Sequence, residues 1–503
     1  MHAPLLRLPY FWDEAGYYVP AARDLLLSGS LIPPSTAANA HPPLVLAWLA
    51  LWWKLSGYTP AVTRTAMLLV AAFALLGVFR LARNVANLPV AVAVTAATAL
   101  YPVFFAQSSM AHTDVAAAAL SLWGIVFLVE HRRPWSILLF CLAVLAKETA
   151  VVAPVAIGLW ELWWWARRRR GRKSRFAPPP TRLIASCALA LAPIVMLAAW
   201  YAYHYARTGY VFGNPEFHHY KGGALLDPLR TVRALAKRLW QITGYMNLFL
   251  LTAAAAMAMA FPPQPEALSD APRERISLDV QAVFAVVIAA QVVLYSLAGD
   301  APLARCLLTS LPLVVIVCVS TIWRRMRQWP LIMGIVCAGF VLAWFVNPPY
   351  PFALEDNLAY RDYVLLHRRA ASLVAAHHAR ERVLTAWPAT DELSRPYLGY
   401  TSVAVPVVPL EDFSAPRLLA AGRDPSQFDL ALLFSTEYQP GQVFGGFPLW
   451  QRRRHNLPPE IAAQILGGRV IFRESRNGQW VALIAIERAE NAGMAPQQLA
   501  VGN

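Results

Sequence analysis

The sequence predicts an α-helical protein that crosses a membrane several times and carries a small α/β domain at its C-terminal end. The 503 residues are 57% hydrophobic and 15% charged, with a mean hydropathy of +0.43. A soluble protein carries about 25% charged residues. Apolar runs of spanning length recur between residues 60 and 347. Residues 348–503 have shorter apolar runs and more charge and proline, which indicates a separate domain.

The net charge of +15 comes from 44 basic and 29 acidic residues. In a soluble protein such an excess would suggest nucleic acid as a partner. Here the basic residues cluster between apolar runs, a distribution that orients membrane helices. We therefore predict the lipid bilayer as a partner and no nucleic acid.

The first 59 residues are predicted to form an external loop that ends in an interfacial helix. Asp13 and Glu14 lie between aromatic residues at the start of a predicted short helix, which Asp13 can cap. The apolar run 44–56 has 13 residues, whereas about 20 are needed to cross a bilayer. Its three tryptophans suit the membrane–water interface.

Residues 60–347 are predicted to form a transmembrane domain of about ten helices. The predicted helices are 60–81, 88–106, 113–130, 134–146, 149–165, 183–205, 239–261, 280–298, 306–323 and 331–347. Basic residues fall in alternate connections, with the densest run at 167–175. Because cytoplasmic loops carry such residues, residues 1–59 and the chain after 347 are predicted to face outward.

This topology makes residues 1–59 cross the membrane with no helix before them. We therefore expect a further apolar helix upstream, missing because the start site is assigned late or because the chain is truncated. Such a helix would restore a cytoplasmic N-terminus.

The stretch 134–165 lies between two basic loops but has only 32 residues, fewer than the about 40 that two full spans require. It is predicted to form two short helices that meet at Lys147 and Glu148. Charged residues within a membrane are costly and are typical of functional sites. The alternative is that these two residues pair with each other and only close the turn.

Residues 348–503 are predicted to form an extracytoplasmic α/β domain with a disordered tail after Glu490. An amphipathic helix is predicted at 357–378. Short β-rich runs follow at 382–386, 403–408, 429–434, 469–472 and 481–486, and the last two are predicted to form a hairpin. The domain contains no nucleotide-binding motif and no catalytic-triad pattern.

The five cysteines all lie within apolar segments, with no CxxC motif, so we predict neither disulfides nor a cysteine-type metal site. Surface positions explain His41, His112, His218 and His219 better than a metal centre does. A divalent cation is compatible with the sequence but is not required by it.

The polar candidates all fall on the predicted outward side. They are Asp13, Glu14, His41, His112, Asp114, Lys147, Glu148, Arg207, Tyr210, Asn214, Glu216, His218, His219, Asp300 and Arg305. A transporter would place its charges near the midplane on broken helices in repeated halves. The observed distribution favours a reaction site at the external interface.

Basic groups at headgroup depth and a pair of carboxylates suit transfer of a group from a lipid phosphate. The phosphate leaves readily once Lys or Arg stabilises its charge, and a carboxylate can deprotonate the acceptor hydroxyl. A single base opposite the leaving group implies inversion, as in inverting glycosidases. The alternative for Asp13 and Glu14 is ordinary helix capping and first-turn chemistry.

At this point the motifs resemble a family, the polytopic GT-C glycosyltransferases that use polyprenyl-phosphate sugars. These include dolichyl-phosphate-mannose protein mannosyltransferases and bacterial aminoarabinose–lipid A transferases. The resembling stretches, all within about residues 8–350, are Phe11–Glu14, His41–Leu44, Thr113–Asp114, Ala146–Thr149, Thr208–Pro215 and Arg305–Leu308. Two departures stand out, because the family's first membrane helix is absent and Cys306 replaces its usual Tyr.

The resemblance implies an inverting glycosyltransferase of a bacterial inner membrane, with an extracytoplasmic site and a polyprenyl-phosphate sugar as donor. It implies that Asp13 is the catalytic base, with Glu14 supporting it or orienting the sugar. Lys147 and Arg305 would hold the donor phosphate. The supporting residues would be His41, Asp114, Glu148 and Tyr210. The acceptor would be a protein, lipid A or another glycan.

Two other hypotheses stay open at this level. A carrier that moves lipid-linked sugars would keep its activity when Asp13 is changed to Asn, and its essential charges would lie mid-membrane. A truncated, inactive homologue would use its external domain to bind a partner. For Asp114 and Arg305 the alternatives are a helix cap and an interfacial anchor.

Overall fold

A computed structural model of the chain describes residues 1–37, 39–170, 180–213, 228–266, 269–299, 303–438 and 457–487. The chain divides into two compact units. Unit 1 comprises Met1–Leu6, Tyr17–Pro348 and Glu355–Leu358, whereas unit 2 comprises Arg7–Gly16, Pro349–Leu354 and Ala359–Asn503. Each unit therefore combines segments that are far apart in the sequence.

Unit 1 is built from helices. Its α-helices are Val19–Ser28, Leu44–Ser56, Pro60–Val85, Leu88–Leu100, Pro102–Gln107, Thr113–Val129, Arg133–Ala146, Val152–Arg170, Pro180–Thr208, Pro228–Thr243, Leu248–Ala258, Leu278–Ala298, Ser310–Arg325 and Trp329–Phe345. A two-stranded hairpin of β1 (Pro265–Glu266) and β2 (Ser269–Pro272) belongs to the same unit.

Within the described ranges, four helical stretches are long and apolar enough to cross a membrane. They are Pro60–Val85, Glu148–Arg167, Ile184–Thr208 and Leu278–Ala298. Shorter apolar helices accompany them at Leu44–Ser56, Leu88–Leu100, Thr113–Val129, Arg133–Ala146 and Trp329–Phe345. The chain is a multi-pass membrane protein, as its composition predicts.

Local sequence explains where several of these helices begin. The side chains of Thr59, Asn87 and Ser277 each accept a hydrogen bond from a backbone N–H in the first turn of the following helix. Proline occupies the first turn after Thr59 and Asn87. Both features satisfy or remove N–H groups that have no partner within the helix.

Two predicted spans are interrupted. The single helix predicted over 239–261 is wrong, because Met246 and Asn247 have φ values of 48° and 65° and separate two helices. The span predicted over 88–106 breaks at Tyr101, which is extended and precedes Pro102. A residue before proline disfavours the α conformation, which accounts for the second break.

Unit 2 contains a mixed five-stranded sheet among its described residues. The strands are β3 (Val383–Ala386), β4 (Val407–Leu410), β5 (Leu430–Phe434), β6 (Gly468–Arg476) and β7 (Gln479–Ile486). Their order is β4–β3–β5–β7–β6, with β3 parallel to β4 and β5 and with β7 antiparallel to both β5 and β6. The predicted β6–β7 hairpin is confirmed.

The α-helices of unit 2 are Ala359–His377, Ala389–Ser394, Ala415–Gly422 and Pro459–Leu466. All five residues of β5 are buried, and most of β7 is buried as well. The first of these helices agrees with the predicted amphipathic helix, and its buried face includes Tyr360, Tyr363 and His367. The result is a small C-terminal mixed α/β fold, as predicted. The predicted disordered tail after Glu490 lies outside the described residues.

Candidate active site

A buried ion pair joins two helix ends in unit 1. Lys147 directly follows the helix Arg133–Ala146, and Asp114 lies in the first turn of Thr113–Val129. Lys147 Nζ is 2.6 Å from Asp114 Oδ1, and the side chains are 10% and 3% exposed. Two residues predicted from separate motifs are therefore in contact. Removal of either would leave a buried charge uncompensated.

Arg305 brings a second cation to Asp114. It lies on the 3₁₀-helix Ala304–Leu307, with its Nε 3.5 Å from Asp114 Oδ2. Its Nη1 is 2.6 Å from Glu355 Oε2. We call Lys147, Asp114, Arg305 and Glu355 the ion cluster. Its two carboxylates formally balance its two cations.

His112 lies beside Arg305 and is fully buried, so the surface position predicted for it is wrong. Its Nδ1 is 3.0 Å from Arg305 Nη1 and 2.8 Å from Gln107 Oε1. Burial, followed by the positive charges of Arg305, Lys147 and Arg64, lowers the pKa of His112 well below 6.5. The imidazole is therefore neutral at physiological pH and adds no charge to the ion cluster.

His41 and Glu148 form a second pair. His41 Nδ1 is 2.8 Å from Glu148 Oε2, and both side chains are 23% exposed. The Tyr18 ring stacks on His41 with a centroid separation of 5.8 Å. Lys147 and Glu148 are adjacent in the sequence but pair with different residues, Asp114 and His41. They therefore do not form the self-paired Lys–Glu turn that was the alternative prediction.

A small cavity lies against the ion cluster. Its volume is about 10 Å³, and its walls include Asp114, Lys147, Arg305, Tyr295 and Cys306. Tyr295 donates a hydrogen bond from its hydroxyl to Thr149 Oγ1 at 2.8 Å. Polar groups from several helices thus converge on one enclosed point.

An apolar groove of about 420 Å³ lies in the same unit. Its lining residues are Leu44, Val45, Trp48, Leu69, Val70, Phe73, Ala116, Ala119, Leu120 and Leu142. Three of these residues are close in sequence to the polar pairs. Leu44 follows His41, Ala116 follows Asp114 and Leu142 precedes Lys147, each by a few residues. The helices that carry the polar pairs therefore also form an apolar surface.

Asp13 and Glu14 belong to unit 2. Glu14 is fully buried, and its Oε2 accepts a hydrogen bond from the backbone N–H of Phe11 at 2.8 Å. Asp13 is partly exposed and immediately precedes the π-helix Glu14–Tyr18. Glu14 thus has a local structural role, whereas the Asp13 side chain has access to solvent.

Other predicted residues lie elsewhere. Tyr210 follows the helix Pro180–Thr208, and 47% of its surface is exposed. Its backbone oxygen is 2.7 Å from His204 Nδ1. The described residues do not include five other candidates, which are Asn214, Glu216, His218, His219 and Asp300.

Residues 40–200 match the family model described as dolichyl-phosphate-mannose-protein mannosyltransferase. The fold is similar to the crystal structure of ArnT from Cupriavidus metallidurans bound to undecaprenyl phosphate, with a TM-score of 0.52 and 13% identity. That alignment covers 98% of this chain and 96% of ArnT. Residues 40–200 are thus similar to that family, and the fold of the chain is similar to that of ArnT.

ArnT from the same organism in the apo state matches this chain with a TM-score of 0.51 at 13% identity, covering 95% of this chain and 94% of that one. The archaeal oligosaccharyltransferase AglB from Archaeoglobus fulgidus, in complex with an inhibitory peptide and a dolichol-phosphate, gives a TM-score of 0.44 at 10% identity. That alignment covers 95% of this chain and 70% of AglB. A comparison with curated protein sequences finds no match.

Two buried carboxylates of this site were not predicted from the sequence. Glu355 pairs with Arg305 in the ion cluster, and Asp356 Oδ2 accepts a hydrogen bond from the Tyr245 hydroxyl at 2.6 Å. Burial raises the pKa of Asp356 to about 7. Adjacent acidic residues soon after the last apolar span were the available signal, but they fell in the predicted C-terminal domain.

No group of three or more His, Cys, Asp and Glu side chains suitable for a metal ion occurs among the residues that the structure describes. Cys306 is a free thiol that lines the small cavity. A thiol is smaller than a phenol and donates hydrogen bonds weakly. The polar character of this cavity therefore comes mainly from the ion cluster and Tyr295.

Proposed function

We propose that this protein is a GT-C glycosyltransferase that moves a sugar from a polyprenyl-phosphate donor to an acceptor, with inversion at the anomeric carbon. The acceptor group is a hydroxyl or phosphate on a protein, lipid A or another glycan. The reaction takes place on the extracytoplasmic side of a bacterial inner membrane. Asp13 is the general base, and Lys147 and Arg305 hold the donor phosphate.

The observation that carries this proposal is the convergence of Lys147 and Arg305 on Asp114 at the ends of apolar helices. Both cationic side chains are at most 10% exposed. Lys and Arg side chains bind phosphate through strong charge-assisted hydrogen bonds. The apolar groove formed by the same helices matches the hydrocarbon part of a polyprenyl phosphate.

The chemistry requires no acid catalyst at the leaving group. The anomeric C–O bond to phosphate breaks, and the phosphate keeps the electron pair as an anion stabilised by Lys147 and Arg305. Asp13 takes the proton of the acceptor hydroxyl as its oxygen attacks the anomeric carbon. Attack opposite the leaving group accounts for inversion.

Transfer from a panel of labelled polyprenyl-phosphate sugars, measured in membranes that contain the protein, tests the proposal. Wild-type protein is expected to transfer at least one sugar, and Asp13→Asn to lower the rate at least about a hundredfold. The matched control is Asp412→Asn, which alters an exposed carboxylate of unit 2. It is expected to retain wild-type transfer.

Equal transfer by wild type and Asp13→Asn would remove Asp13 from the mechanism. Absence of transfer from every donor by the wild type would contradict the proposed activity. Vesicle translocation of a labelled lipid-linked sugar by both forms, without transfer, would favour the carrier hypothesis instead.

A further inference from the structure

The segment that carries Asp13 is held within unit 2 by main-chain hydrogen bonds. Tyr10 is fully buried, and its carbonyl accepts a hydrogen bond from the Tyr400 hydroxyl at 2.8 Å. Its N–H donates to the Leu398 carbonyl at 3.5 Å. A segment near the N-terminus is therefore part of the C-terminal fold.

Aromatic rings surround the residue before Asp13. The Trp12 ring lies edge-on to Tyr363 and to Trp387, with both centroid separations 5.5 Å. Phe11 lies edge-on to Tyr363 at 5.2 Å. We call Phe11, Trp12, Tyr363 and Trp387 the aromatic cluster. Edge-to-face pairs at these distances are favourable and restrict ring orientation.

The backbone here is strained and closely packed. Trp12 has a φ of 41°, which bulky residues rarely adopt and which costs about 1–3 kcal/mol. A Cβ atom on Gly16 would lie 2.5 Å from the Trp387 ring, so the tryptophan requires glycine at this position. Asp13 lies between the strained residue and the glycine, and both contact Trp387.

A buried pair, His367 and Glu392, contacts the aromatic cluster through Tyr363. Tyr363 stacks on His367 at a centroid separation of 3.8 Å, and His367 Nδ1 is 2.6 Å from Glu392 Oε2. Both members of that pair are 2% exposed. Tyr363 is thus fixed by a second layer of contacts, which lowers the freedom of the ring that packs on Trp12.

We propose that Trp387 and Gly16 are positioning residues, which together fix the backbone on either side of Asp13 in the geometry that the base requires. The inference rests on the proposed function, because the geometry of Asp13 affects the reaction only if Asp13 is the general base. The C-terminal unit then contributes directly to catalysis, through the orientation of the base.

Gly16→Ala tests the inference, because the added methyl must displace the Trp387 ring. Its kcat is expected to fall at least about tenfold, since small misplacements of a catalytic group are costly. The KM for the donor should stay within about twofold. Trp387→Phe lacks the indole atoms nearest Gly16, so adding Gly16→Ala to that variant should lower kcat little further.

Gly422→Ala is the matched control. Its Cβ would lie 2.4 Å from the Ile465 carbonyl oxygen, in the same unit but among residues that do not contact the aromatic cluster. It is expected to lower thermal stability and to leave kcat per folded molecule unchanged. An equal kcat loss in both glycine variants would reduce Gly16 to a general folding role and overturn the inference.

Hydrogen exchange provides a readout that does not depend on activity. Amides in residues 7–16 should exchange at least about tenfold faster in Gly16→Ala, with β5 and β7 unchanged and with recovery in the double variant. Unchanged exchange in residues 7–16 would overturn the inference even if the wild type transferred no sugar. If Asp13→Asn lowers transfer but Gly16→Ala does not, the proposed function stands and the positioning inference fails.

Discussion

The ion cluster of unit 1 and the Asp13 segment of unit 2 both present carboxylates, but different forces hold them. Asp114 lies between Lys147 and Arg305, at 2.6 and 3.5 Å. The Asp13 segment is held by ring packing and main-chain hydrogen bonds. A cation beside a carboxylate favours its charged form and weakens it as a base. The paired cations therefore suit Asp114 to balancing charge.

The largest expected effect in the ion cluster comes from Lys147→Met. This change leaves Asp114 buried without its 2.6 Å partner, which costs about 3–5 kcal/mol when a buried pair is broken. Sugar transfer should fall at least about a hundredfold, because the donor phosphate also loses a cation. Transfer and thermal unfolding of the purified protein measure the two effects.

Lys54→Met is the control, because Lys54 is exposed on an apolar helix of the same unit. It should change both quantities little. If Lys147→Met kept wild-type transfer, charge balance in the ion cluster would be unrelated to the reaction.

A smaller effect of opposite sign is expected for Glu355→Gln. The amide retains a hydrogen-bonding oxygen for Arg305 but removes the negative charge that competes with phosphate. Affinity for undecaprenyl phosphate should rise about tenfold, equivalent to about 1.4 kcal/mol. Titration of the detergent-solubilised protein with that lipid provides the measurement.

The control for Glu355→Gln is Glu460→Gln, which alters an exposed pair with Arg473 in unit 2. It should leave lipid affinity unchanged. Weaker binding in Glu355→Gln would mean that Glu355 orients Arg305 for the donor and does not compete with it.

A separate effect, on stability and not on transfer, concerns the pH dependence at Asp356. Its pKa is about 7 in the folded protein against 3.8 normally, so the folded state keeps a proton that the unfolded chain has released. Stability from this group is complete below about pH 4 and is lost as pH rises to about 7, by up to about 4 kcal/mol. Asp356→Asn removes that loss.

Thermal unfolding at pH 4.5, 6 and 7.5 tests this expectation. The melting temperature of Asp356→Asn relative to wild type should rise by a few degrees across the series. A constant difference would show that Asp356 does not change its protonation on folding in this range. The Asp412→Asn variant should show no such trend.

The sequence predicted those site residues whose charge is energetically unfavourable in an apolar segment. The sequence identifies Lys147, Glu148 and Asp114 because charged residues in apolar stretches are energetically costly and are typical of functional sites. Their partners were not predictable, since Lys147 pairs with Asp114 and Glu148 pairs with His41 through helix packing. Periodicity reports which face of a helix is apolar but not which helix it meets.

The Asp13 segment shows a second limit. The predicted boundary kept residues 1–59 together, and that division stays a prediction. The contacts of Arg7–Gly16 are made with residues such as Tyr363 and Trp387, more than 300 positions away. Local propensity carries no information about such distant pairing. Glu355 was missed for the same reason, because only its contact with Arg305 reveals its environment.

The division of the chain has a consequence for how such proteins can diverge. The polypeptide passes between the two units after Leu6, Gly16, Pro348, Leu354 and Leu358. A gene fusion with one junction therefore cannot exchange the C-terminal fold while keeping the peptide that packs into it. Residues 7–16 and the aromatic side chains that receive them must be inherited together. Changes in the C-terminal fold are thus constrained by the fit of a short peptide that is encoded far upstream in the gene.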